Sequence, residues 1–164
     1  MHNYNAETLL DIHRRAHESL RRLIAFCGTL TIDDLQRPLT GFGFPTILRQ
    51  LVHTIGAEVY WQTVVTRGYS EEATLPNVPD LAAIEAFRAE TASVTRSYLE
   101  HATEAELNTT REMISDPGKT RWLRPADVIM RVVTHIYSHQ GQVLAMCRTL
   151  GKPNEVSDLD YPIA

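Results

Sequence analysis

Two pairs of histidines in this chain have the spacing HxxxH, and the second of them lies in VVTHIYSHQGQ, residues 132–142. On a helix, residues at i and i+4 point to the same side with Cβ atoms roughly 5–6 Å apart. That spacing lets two imidazoles share one metal ion at roughly 2.0–2.1 Å each. Val128, Val132, His135, His139, Gln142 and Met146 step by four and three, so both histidines fall on the stripe that faces a core. A histidine in a core is more often hydrogen-bonded than metallated, and the pair alone decides nothing. His53 changes the balance. It sits in the middle of another helical stretch, on an apolar strip beside Gly56 and Ala57, whose small side chains leave open space. An unpartnered polar ring in a core costs roughly 1–3 kcal/mol. Three such rings near the middle of one fold ask for a common partner. Three neutral imidazoles with an open fourth position form a zinc-type catalytic arrangement. Nickel, iron or cobalt would accept imidazole as well.

His13 and His17 repeat the spacing on the core face of the first helix. The simplest expectation leaves one or both partly exposed near the end of the core; the alternative has His17 lining the pocket as a proton carrier. Tyr60 and Gln142 are placed to touch a ligand, against an alternative role in packing or helix–helix hydrogen bonding. Glu58 falls about 140° around its helix from His53, at about 100° per residue, which argues against it as a general base.

These residues need long helices to hold them. Leu9, Leu10, His13, Ala16, His17, Leu20, Leu23, Ile24 and Cys27 have 3–4 spacing, predicting a helix over about Asn5–Gly28, with Gly28 as its stop. Thr31 opens a short helical piece with Asp34 at the reciprocal capping position. A second long helix is expected over about Pro45–Arg67, with Pro45 in its first turn. It is apolar on two adjoining strips, and the band Gln50, Thr54, Glu58, Gln62 is its polar side. Gly68 to Pro79 reads as a polar connection. Asp80 caps a third helix over about Leu81–Ala102, with a stripe of Leu81, Ile84, Phe87, Thr91, Val94 and Tyr98 and no plausible ligand. Leu107 to Arg124 reads as two short strands around a Pro-Gly turn. Pro125 and Asp127 start the last helix, which runs to about Leu150 before Gly151 and Pro153. The tail, Asn154 to Ala164, is polar and expected along the surface. Four amphipathic helices of about twenty residues each predict an all-α four-helix bundle, with a short β-hairpin before the last helix.

Composition narrows the function classes. With 164 residues, 43% hydrophobic, 22% charged and a formal charge of −4, the chain has the profile of an ordinary soluble domain. The arginines at 14, 15, 21 and 22 read as the wet face of a helix, and no basic patch supports nucleic-acid binding. No apolar run approaches the roughly 20 residues of a membrane span. The first residues lack the apolar stretch of a signal peptide. Cys27 and Cys147 read as two buried thiols in a reducing cytoplasm.

The segments LRQLVHTIGAEVYWQ around His53 and VVTHIYSHQGQVLAMCRTLG around His135 and His139, with a DLDYP ending, resemble the DinB/YfiT-like superfamily over nearly the whole length. Its HxxxH followed by Gly-Gln stands here as His135, His139, Gly141 and Gln142. Two departures are Gln140, where relatives often have arginine, and His13 and His17, where they often have asparagine. The resemblance implies an up-up-down-down bundle in which His53, His135 and His139 bind a divalent metal, zinc or nickel above iron or cobalt. Relatives include thiol-dependent S-transferases and a maleylpyruvate isomerase, which use mycothiol, bacillithiol or glutathione, and homodimers are common among them.

A transferase using a low-molecular-weight thiol is therefore the leading expectation, since a thiol at a metal is deprotonated and becomes a nucleophile. The competing expectations are a hydrolase, because a zinc-bound water can have a pKa near 7, and a non-catalytic bundle whose metal is structural or senses stress. A structural site is normally closed by four protein ligands.

Overall fold

The computed structural model describes residues 3–69, 78–154 and 159–163. Among the described residues, six helices and one hairpin follow in the order α1 (Ala6–Cys27), α2 (Ile32–Gln36), α3 (Ile47–Thr66), α4 (Leu81–His101), α5 (Glu104–Asn108), β1 (Arg111–Asp116), β2 (Lys119–Leu123) and α6 (Pro125–Thr149). The helix starts are set by side-chain caps, which satisfy amide donors that have no partner inside the helix. Asn5, Thr31, Thr46, Asp80 and Thr103 each accept from a backbone N–H in the first turn. Thr46 fixes the start of α3 beyond Pro45, whose carbonyl instead accepts from Leu39 N at 2.7 Å. The short α5 had no apolar periodicity to announce it and rests on its Thr103 cap.

The four long helices form a ring in which α1 packs on α4, α4 on α3, α3 on α6 and α6 on α1. Pairings fix their directions. Leu9 packs with Leu99 near the end of α4 and with Ile129 near the start of α6, and Ser19 meets Gln140. Arg131, early in α6, covers the ring of Trp61, late in α3, while Gln50 meets His139 at the other end. Along the chain α1 and α6 run one way and α3 and α4 the other, an up-down-down-up order where the resemblance implied up-up-down-down. One main core runs through the bundle, and a smaller apolar cluster around Leu9, Leu99, Leu107, Ala126 and Ile129 closes one end. Cys27 and Cys147 are both free and buried. No helix among the described residues is long and apolar enough to cross a membrane.

The hairpin forms as the Pro-Gly turn predicts: β1 pairs antiparallel with β2, and Gly118 takes the positive φ of 68° that a residue with a Cβ adopts poorly. Its outer face leaves Trp122 and Ile114 exposed.

Three faces differ from expectation. The band Gln50, Thr54 and Glu58 of α3 is buried, because Gln50 and Glu58 find partners on neighbouring helices and the Thr54 hydroxyl donates to the Gln50 carbonyl of α3 itself. In α4 the buried positions are Ile84, Arg88, Thr91, Thr95 and Leu99, whereas Val94 is exposed. Arg88 and Thr95 enter because Glu85 and Glu58 receive them. The tail does not lie wholly on the surface: Leu159 is buried in the core, and its carbonyl accepts from Ser19 and Gln140 at 2.6 and 2.9 Å. The expected polar connection between α3 and α4 falls largely on residues 70–77, outside the described residues.

Candidate metal centre

α3 and α6 run side by side, and their contact brings together His53, His135 and His139, each offering a ring nitrogen within 4.8 Å of the others. The His135 and His139 Nε2 atoms are 3.0 Å apart, as the i,i+4 spacing requires. The ring centre of His53 lies 5.2 Å from that of His135 and 4.8 Å from that of His139. Phe44, in the loop before α3, stacks on His53 with ring centres 3.8 Å apart and fixes its plane.

Burial holds all three rings below the usual histidine pKa. It is the largest cause for each, reinforced at His139 by His135 and His53, which bring its pKa down to about 4. The rings are therefore uncharged at neutral pH with lone pairs free, the state metal ligation requires. His135 Nδ1 is buried with no hydrogen-bond partner among the described residues. The donor set thus fits a divalent cation: three neutral imidazoles converge, and the Nε2 atoms of His135 and His139 have only each other as partners among the described residues.

Gln50 supplies the surrounding support. Its side-chain amide contacts His139 Nδ1 and lies 2.7 Å from Gln142 Oε1. A histidine that ligates through Nε2 carries its proton on Nδ1 and is normally held there by an acceptor. Turning both amides over would present the Gln50 oxygen, buried and otherwise unpartnered, to that proton. Sequence periodicity missed Gln50, because it belongs to the band read as polar and outward. Beside His53 opens a cleft of about 560 Å³, walled by Phe44, Leu48, Val52, Val78 and Pro79, with Arg49 along it.

The remaining candidates lie elsewhere. Gln142 joins the His139 side of the site through Gln50. Tyr60 donates from its hydroxyl to the Ser115 carbonyl, so it ties the hairpin to α3 and is not brought to the three imidazoles. His17, like His13, is fully buried rather than half-exposed, and belongs to a separate cluster. There the Nε2 atoms of His13 and His17 lie 2.7 Å from Glu58 Oε1 and Oε2, and Thr95 Oγ1 donates to Oε1 at 2.7 Å. Burial acts to raise the Glu58 pKa most strongly of any single cause, but the two imidazoles together outweigh it and hold the carboxyl well below the usual range. Burial likewise lowers the pKa of His17, with Glu58 opposing. This second group also has the composition to hold a metal ion.

Fold and site together define a helical bundle with histidine-rich groups of metal-ligating type on both flanks of α3. The DinB family model matches residues 1–163, and the chain belongs to the DinB family. No curated protein matches it.

Proposed function

We propose that this DinB-family chain is a metal-dependent enzyme in which His53, His135 and His139 hold a divalent metal, zinc or nickel first, and that it transfers a low-molecular-weight thiol to an electrophilic substrate. The observation that carries this reading is the convergence of three uncharged imidazoles from two helices beside an open cleft, with no fourth His, Cys, Asp or Glu in the group among the described residues. A structural site would normally be closed by a fourth protein ligand. Bound there, a divalent cation supplies the positive charge that favours a thiol in its thiolate form.

The protein's own residues do the rest. Phe44 orients His53, and Gln50 with Gln142 orients His139. The walls of the cleft suit the apolar part of a substrate, and Arg49 offers a guanidinium to an anionic end.

The test is elemental analysis and thiol-consumption assays on wild-type protein and the His135→Ala variant, with far-UV circular dichroism to verify the fold. The variant should lose one equivalent of divalent metal, with at least about a 100-fold drop in affinity, since even outer partners of a metal ligand typically contribute 10–100-fold. It should also lose any metal-stimulated thiol transfer. Equal metal content in wild type and variant would sink the three-histidine site. Metal loss with thiol consumption unchanged would sink the transferase reading and leave the site standing.

A further inference from the structure

We infer that His13, His17 and Glu58 form a second divalent-cation site, independent of the three-histidine set and reached from the groove between α1 and α4. The geometry is that of a two-histidine, one-carboxylate set. His13 and His17 are one helical turn apart on the buried side of α1, and Glu58 comes from α3 to meet both. The three ligating atoms lie within 4.8 Å of one another, and ligands around one zinc ion stand roughly 3.3 Å apart at ordinary bond lengths. Two imidazoles and a carboxylate suit zinc or iron(II).

Burial gives the reason for a cation. Glu58 is 1% exposed, and its hydrogen-bond partners among the described residues are two imidazoles and the Thr95 hydroxyl, none with a permanent charge. A buried carboxylate without a compensating cation is costly. The nearby arginine, Arg88, is engaged by both oxygens of Glu85, at 2.7 and 2.6 Å.

Two further features suit a metal. Thr95 holds the carboxylate by a hydrogen bond, as ligating carboxylates are usually held. A groove of about 790 Å³ along α1 and α4 reaches His13 and His17 and gives a polar path to them, with four carboxylates and four arginines on its walls. Independence follows from helix geometry: Glu58, five residues beyond His53, lies about 140° around α3 from it.

The test is titration of chelator-stripped, full-length protein with zinc alone, read by calorimetry and elemental analysis. Wild type should bind two equivalents per chain, His135→Ala one, Glu58→Gln one and the double variant none. A wild-type protein that saturates at one equivalent, with Glu58→Gln unchanged, overturns the second site whatever becomes of the first. Should Glu58→Gln not fold, histidine-ring NMR on wild type decides. Zinc should move the His13 and His17 ring signals as well as those of His53, His135 and His139. If only the latter three respond through several equivalents, the cluster is a proton-sharing network and the inference falls.

Discussion

α3 gathers a pair of i,i+4 histidines on each of two flanks, and the two groups differ in almost everything except that spacing. On one flank His53 meets His135 and His139 of α6 in an all-nitrogen, half-buried group beside a cleft. On the other, Glu58 meets His13 and His17 of α1 in a fully buried group containing an anion. In the first, the rings sit close together with little else to bond, so neutrality comes from burial and their mutual repulsion. In the second, a carboxylate organises the rings and a threonine organises the carboxylate. HxxxH places two imidazoles side by side; the third residue and the degree of burial decide what they can do.

That contrast can be broken experimentally. The largest effect is expected at Glu58. Leaving a buried donor or acceptor unsatisfied costs about 1–3 kcal/mol, and Glu58→Ala strips a partner from His13, His17 and Thr95 at once, so it should lower the unfolding free energy of metal-free protein by several such increments in urea titration. A loss below about 1 kcal/mol would mean that the second group is not held by its carboxylate. Next comes Gln50→Leu, which removes the support of His139 but leaves the three imidazoles. It should weaken zinc binding at the first group by about 10–100-fold in chelator competition and leave the Glu58 group untouched. Unchanged affinity would reduce Gln50 to packing.

The smallest effect is a pH dependence that separates the two groups. His53, His135, His139 and His17 have folded-state pKa values below the ordinary 6.5, so the unfolded chain binds protons more readily. Stability of the metal-free protein from these groups should be fully present above about pH 6.5 and lost as pH falls, through about 4 for His139. Glu58 is also depressed, from an ordinary 4.5, so its contribution is present above that value and is lost only at lower pH. Thermal midpoints measured from pH 8 to 3 should fall in two regions, and His139→Ala should flatten only the upper one. A flat profile between pH 6.5 and 4 would contradict the lowered histidine values.

Much of this was legible in the sequence, for reasons particular to each element. The long helices followed from apolar spacing, and the starts of α1, the short α2 and α4 from Asn5, Thr31 and Asp80. The hairpin followed from Pro117-Gly118 between two strand-forming runs. The convergence of His53 with His135 and His139 was expected because all three lie on apolar strips of helices. The resemblance to the DinB family, carried by the same two segments, is matched by the family model.

The tertiary structure alone decided the polar interior. Periodicity identifies a buried face by its apolar residues, so a band of Gln50, Thr54 and Glu58 reads as solvent-facing. Gln50 and Glu58 are buried because their partners arrive from distant segments: His13 and His17 stand 45 and 41 positions from Glu58, Thr95 37, and His139 89 from Gln50. Likewise Tyr60 is committed to the hairpin by a backbone carbonyl 55 positions away. A side chain such as that of Gln50 or Glu58, too long to be satisfied by its own helix, enters a core where another element satisfies it. That condition belongs to the packing of the helices, not to the spacing of residues within one.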